Sequence, residues 1–203
     1  MTRPKRQAER RDDLVAAAQR AMVEHGSGSV RLNQVAEAAG LTSGAVLYHY
    51  PNLKELLLEA HRAGMERFYE LRFKAIERID DPVEKLLTTI RSGLPTGPDD
   101  PDVRLLCELG GSAGRDRIKG MLLTTLYDRQ VSMYQVILEA GAARGAFELS
   151  DDSLTIARNL VALEDADGYR IVARHPTIDR GRAVELILAY ARQATGSRLE
   201  AAG

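Results

Sequence analysis

Between residues 32 and 50 two short stretches of helical periodicity meet at one glycine, and that junction restricts the chain more than anything else in it. Leu32, Val35, Ala36 and Ala39 recur at three- and four-residue spacing and so share one helical face. Gly40 follows, the residue type that tolerates the left-handed position after a helix end. Thr42 is a good N-cap for a second helix running through Tyr50, which Pro51 then closes by pushing the residue before it out of the helical region. Small Ala36 and Ala39 let the two helices cross closely, and Leu41 plugs the core beneath the turn. This is the layout of a helix-turn-helix, with the second helix presented outward.

The rest reads as helices too. Leu14, Ala17, Ala18, Ala21, Met22 and His25 predict a first amphipathic helix from about Asp12 to His25, ended by Gly26-Ser27-Gly28-Ser29. Leu53, Leu56, Leu57, Ala60, Gly64, Phe68, Leu71, Ala75 and Ile79 predict one long helix from Asn52 to about Ile79, ~40 Å at ~1.5 Å per residue. Asp80-Asp81-Pro82 breaks it, and Val83 to Leu94 is helical again. Residues 93–101 hold three prolines and two glycines and form the surest loop. Beyond it, helices are predicted at about 101–113, 115–143, 151–175 and 177–195, with Ser150 or Asp151 and Thr177 as N-caps and His175-Pro176 as a breaker. Helix 115–143 is apolar on more than one face, as a central helix is. No run of period-two alternation is long enough for a strand, so the fold class is all-α.

Composition narrows the function by exclusion. With 203 residues, 44% hydrophobic and 28% charged, the chain has the material for one or two compact domains. No stretch approaches the ~20 apolar residues of a membrane span, and Met1-Thr2-Arg3-Pro4-Lys5-Arg6 leads into charge rather than a signal core, so a cytoplasmic location is expected. The single cysteine, Cys107, cannot form an internal disulfide, and His25, His49, His61 and His175 lack metal-ligand spacing. No metal or cofactor is expected. Nor is catalysis, since there is no nucleophile elbow, Gly-rich phosphate loop or histidine pair at i, i+4. Net charge is −1, but residues 1–50 carry seven basic groups against five acidic ones, a mild excess on the segment that holds the motif.

Thr42, Ser43, Gly44 and Ala45 lack bulk, so the start of the second helix can press deep into a major groove. They are too short for the bidentate base contacts of arginine or asparagine. Ser43 can make one hydrogen bond and Ala45 can touch a thymine methyl, leaving much of the affinity to phosphates and DNA shape. Tyr48 and His49 can bond phosphate oxygens, whereas Leu47 and Tyr50 are expected in the core. Arg31 and Lys54 are candidate phosphate cations. The segment with Arg3, Lys5, Arg6, Arg10 and Arg11 is either a basic arm along or in a minor groove or a solvated terminus.

The run from Leu32 through Leu58, with Tyr48-His49-Tyr50-Pro51-Asn52-Leu53-Lys54-Glu55-Leu56-Leu57 at its end, resembles the DNA-binding domain of TetR-family regulators. The core from Ala36 to Leu41, Gly44, the aromatic cluster and the leucine pair fall at the family's spacing without a gap. Leu47 stands where the family usually has an aromatic, Leu53 where it usually has a lysine that contacts phosphate, and Arg31 where it usually has a capping threonine or serine. Residues 144–165, from Arg144-Gly145-Ala146-Phe147 to Leu160-Val161-Ala162-Leu163-Glu164-Asp165, look like the C-terminal domain of the subgroup containing the choline-pathway repressor. The resemblance implies an N-terminal three-helix helix-turn-helix DNA-binding domain (1–51), a connecting helix (52–79) and a C-terminal helical ligand-binding and dimerisation domain (80–203). It also implies a four-helix dimer contact from the last two long helices, which suits Ala183, Leu186, Ile187, Tyr190, Ala191 and Ala194 on helix 177–195; that stripe fits packing within its own subunit equally well. A homodimer matches two half-sites ~34 Å apart on palindromic double-stranded DNA.

Cys107, Tyr127, Tyr134, Asp165 and Tyr169 offer polar atoms among hydrophobes, as the pocket of a small-molecule effector requires. Glu164 and Asp165 beside tyrosines would suit a cationic ligand. The function that follows is a ligand-responsive regulator, by default a repressor released from its operator by a small molecule. The alternative is a helix-turn-helix regulator whose C-terminal part only dimerises or binds a protein.

Overall fold

The computed structural model describes residues 3–199, with side chains from Gln7 onward. Among these residues there are nine helices and no strand: α1 (Arg3–His25), α2 (Leu32–Ala38), α3 (Ser43–His49), α4 (Leu53–Ile76), α5 (Pro82–Gly93), α6 (Pro101–Ala113), α7 (Arg117–Ala143), α8 (Ser153–Val172) and α9 (Arg180–Thr195). The fold is all-α. No helix of the described residues is long and apolar enough to cross a membrane.

Several helix ends differ from expectation, each for a local reason. α1 begins at Arg3 rather than Asp12, because only Pro4 interrupts the good helix formers before Gly26 and proline is tolerated in a first turn. α4 ends at Ile76 rather than Ile79. The N-cap of α8 is Asp152, whose carboxylate takes the Thr155 N–H, and that of α9 is Asp179, which takes the Arg182 N–H. Thr177 does not cap; its hydroxyl lies 3.4 Å from His175 Nδ1. α8 stops at Val172, before the breaker, where Arg174 takes a left-handed φ of 58°. The N-terminal part of α7 is not central either: Ile118 and Met121 are exposed, and the buried face of the helix starts at Leu126.

Contacts divide the chain into two compact units, Met1–Arg67 with Arg104–Leu123, and Phe68–Val103 with Thr124–Gly203. The divisions fall inside α4, α6 and α7. Each unit has its own core. In the first, Leu14, Ala17, Ala18 and Met22 of α1 meet Val35, Ala36, Val46, Tyr50, Leu56, Ala60 and Leu105. In the second, Leu86 and Ile90 of α5 join Tyr134, Ile137 and Leu138 of α7, Ile156 and Leu160 of α8 and Ile187, Leu188 and Ala191 of α9. The α9 stripe therefore splits. Ala183, Ile187, Ala191 and Ala194 are buried within the chain, while Leu186 and Tyr190 stay half-buried at its margin.

Candidate nucleic-acid interface and interior polar cluster

The turn between α2 and α3 is held by main-chain bonds that only a left-handed residue allows. Gly40 has φ 65°, its N–H reaches Glu37 O at 3.0 Å, and the Leu41 N–H reaches Ala36 O at 2.8 Å. That pair of bonds is a Schellman closure, and it turns the chain abruptly out of α2. Arg20 Nη2 donates to Ala38 O at 2.9 Å and satisfies a further carbonyl of the same end. At the start of α2, Gln34 Oε1 accepts the Arg31 N–H at 2.8 Å, the half of a capping box that does not need a Ser or Thr at the cap. Thr42 Oγ1 accepts the Ala45 N–H at 3.2 Å and starts α3 as expected.

α3 is pinned by one narrow arc. Val46 (1% exposed) and Tyr50 (3%) are buried, while Leu47 (45%) and Tyr48 (74%) stand open to solvent. Leu47 thus departs from the core position expected for it. It lies ~100° around the helix from Val46, and a seven-residue helix packed on one neighbour does not bury so wide an arc. Thr42 and Gly44 are exposed; Ser43, Ala45 and His49 are half-buried; Arg31 and Lys54 are exposed at the two margins. The rings of Tyr48 and His49 meet edge to face, 5.1 Å between centroids. Leu53 packs against the core of this unit. Arg11 is no loose arm: its guanidinium donates to His49 O at 3.2 Å and lies 4.3 Å from the centre of the Tyr50 ring. Arg10 lies 3.7 Å from Asp13. The side chains of Arg3, Lys5 and Arg6 lie outside the described residues.

The second unit encloses a polar cluster of which the sequence pointed to Glu164 and Tyr134 but not to Arg72, the cation that joins them. Arg72 of α4 and Glu164 of α8, 1% and 2% exposed, pair at 2.9 Å. The same guanidinium donates to Gln130 Oε1 of α7 and to Thr89 O of α5, and lies 5.6 and 5.8 Å from the ring centres of Phe68 and Tyr134. The Tyr134 hydroxyl donates to Glu164 Oε1. Gly93 leaves room for the carboxyl, since a Cβ there would run into it. Burial pushes the Glu164 carboxyl up to about 7, against the downward pull of Arg72 and of the Tyr134 hydrogen bond. Arg72 Nε and Glu164 Oε2 have no hydrogen-bond partner among the described residues. The available clue was a lone basic residue continuing the apolar face of α4 one turn after Phe68.

The five candidate effector contacts are not gathered in one unit. Cys107 belongs to the first unit and the other four to the second. Tyr134 is fully buried and Tyr127 packs half-buried on the same core, but Asp165 and Tyr169 are exposed on α8. His61, read from the sequence only as lacking metal spacing, is buried in the first unit with both ring nitrogens unpartnered among the described residues. Burial, helped by the charge of Lys119, lowers its pKa to about 4.

Residues 14–60 match the family described as "Bacterial regulatory proteins, tetR family". The N-terminal domain belongs to the tetR family. The probable acrEF/envCD operon repressor of Escherichia coli (strain K12) is 33% identical to this chain over 82 residues, 32% of the chain and 37% of the repressor's own length. Among solved structures, a putative transcriptional regulator from Saccharomonospora viridis in complex with choline superposes with a TM-score of 0.85 at 21% identity, over 93% of this chain and 98% of that one. A TetR transcription regulator from Haloarcula marismortui superposes with a TM-score of 0.83 at 21% identity, over 93% and 99%. At that identity the two likenesses establish the fold, in which the tetR-family domain of this chain is followed by helices of the same arrangement.

Proposed function

We propose that the chain is a DNA-binding transcriptional regulator, a homodimeric repressor that leaves a palindromic operator when a small molecule binds. The observation that carries this is the helix α3 of a tetR-family domain, capped by Thr42, anchored by Val46 and Tyr50, and open on the face of Gly44 and Tyr48. Ser43 and Ala45 face base edges; Thr42, Tyr48 and His49 bond phosphates; Arg31 and Lys54 supply cations at the margins. On α8, Ala162, Ala166 and Tyr169 recur at i, i+4, i+7 along an exposed stripe. With Leu186 and Tyr190 of α9 they form the face that pairs with a second copy.

The effector reading rests on the second unit, with support from the choline bound by the Saccharomonospora viridis protein. Tyr127 and Tyr134 are its interior candidates. A cationic ligand on Glu164 meets an obstacle, because the guanidinium of Arg72 already takes that place against the carboxylate and two rings. The effector instead shifts the balance between two conformations of this unit, and α4, part of which belongs to each unit, passes the change on. A coupling of ~1–3 kcal/mol changes operator affinity ~5- to 150-fold. The test is gel retardation with fragments flanking the protein's own gene at modest salt, for wild type and for Tyr48→Ala/His49→Ala. Retardation lost in the double variant supports the reading, and no retardation by wild type ends it. If no compound in a thermal-shift screen also releases the DNA, the second unit serves only to dimerise.

A further inference from the structure

We infer that Leu47 reads sequence: its methyl groups meet the C5-methyl of a thymine in the major groove, so each half-site of the operator contains a thymine recognised by apolar contact. The inference rests on the DNA-binding reading above and adds a residue that reading does not use. Gly44, Leu47 and Tyr48 stand at i, i+3 and i+4; Gly44 and Tyr48 lie on the side of α3 opposite Val46, and Leu47 stands beside them on the flank of that open face. Leu47 is 45% exposed there. It has no donor or acceptor, so it is useless to a phosphate. In the major groove a duplex offers one methyl group, on thymine, and that is the partner an aliphatic side chain at this depth can recognise.

Gly44, one turn earlier, supports the same close approach. A Cβ on it would meet only Thr42 Oγ1 at 4.0 Å, so nothing within the protein requires a glycine. Inside a helix glycine costs ~1 kcal/mol relative to alanine. The missing side chain opens the outer surface beside Leu47, which lets the leucine reach the floor of the groove while the Tyr48 hydroxyl stays at its wall. Ser43, four residues before Leu47 and half-buried, is placed for one hydrogen bond to a neighbouring base edge. The pattern read is therefore thymine beside a base with a donor or acceptor. Self-association through this face is the poorer use, since one leucine beside a glycine gives little apolar area.

The test uses the full-length protein and duplexes that wild type selects from a random pool. Each thymine of the half-site is replaced in turn by deoxyuridine, which lacks the C5-methyl and keeps every hydrogen-bonding group. At one thymine position the replacement should weaken binding about fourfold per half-site, the worth of one buried methyl. Leu47→Ala should bind the thymine duplex more weakly and bind the thymine and deoxyuridine duplexes alike, while Leu47→Met keeps the preference. Deoxyuridine neutral at every position, or a Leu47→Ala protein that retains the full preference, overturns the inference. A wild type that selects no duplex sinks the DNA-binding reading itself, and this one with it. The deoxyuridine scan needs no variant, and the exposure of Leu47 means that its variants keep the wild-type unfolding midpoint.

Discussion

Tyr48, the most exposed polar side chain of α3, stands open to solvent, whereas the polar groups between α4, α5, α7 and α8 point inward and take one another. Tyr48 is 74% exposed, while Arg72 and Glu164 are 1% and 2% exposed and joined at 2.9 Å. An outward group adds almost nothing to stability and everything to recognition. An inward charge does the reverse, because once desolvated it must keep its partner or become neutral. Mutations at the two places should therefore separate folding from binding.

The largest effect is expected from leaving the buried carboxyl alone. Arg72→Met should cost about 3–5 kcal/mol in the unfolding free energy of the second unit, measured by urea denaturation, with much of it regained in Arg72→Met/Glu164→Gln. Equal stability of the single variant and wild type would break the contrast. The pH dependence sharpens it. Glu164 titrates at about 7 when folded, against an ordinary value of 4.5. The folded state thus holds the extra proton between those values, and stability must fall as pH rises through that window. Unfolding midpoints of wild type relative to Glu164→Gln, taken at pH 5 and 7.5, should show wild type losing ground at the higher pH. Gly93→Ala comes next, at about 1–3 kcal/mol, since the added methyl would force the Glu164 carboxyl to move. Thermal unfolding checks it.

These expectations also show what the sequence makes legible. The bonds that build the helix-turn-helix and the start of α4 span three to five residues: Thr42 to Ala45, Ala36 to Leu41, Asn52 to Glu55. Such local chemistry can be read along the chain, and Gly40, Thr42 and Pro51 punctuate it as expected. The bonds of the interior cluster run from Arg72 to Thr89, 17 residues on, and to Glu164, 92 residues on. No local pattern records them. Gly93 shows the difference within one residue: its place where the helix of Val83 to Leu94 meets a Gly/Pro-rich loop can be read along the chain, but that its missing side chain makes room for a carboxyl from α8 cannot. Leu47 fails for the opposite reason. Its apolar character signals burial, and only the packed orientation of a short helix shows that it faces out. The same gap separates Tyr134, an expected polar atom inside the core, from Tyr169, the same residue type left exposed.

The smallest effect on folding is the most informative for binding. Tyr48→Ala removes a ring that is 74% exposed and touches His49 edge to face. Surface changes of that kind stay within about 0.5 kcal/mol. Denaturation midpoints of the variant and of wild type should therefore coincide. If the hydroxyl bonds a phosphate, its loss removes a charge-assisted hydrogen bond from each half-site, and affinity for a selected duplex should fall about tenfold per half-site. The loss should be uniform across operator sequences, unlike that of Leu47→Ala, because a phosphate contact carries no base information. A Tyr48→Ala protein that unfolds early would place the ring in the core of the motif. One that changes sequence preference would place it among the bases and move the boundary between positioning and reading one residue along α3.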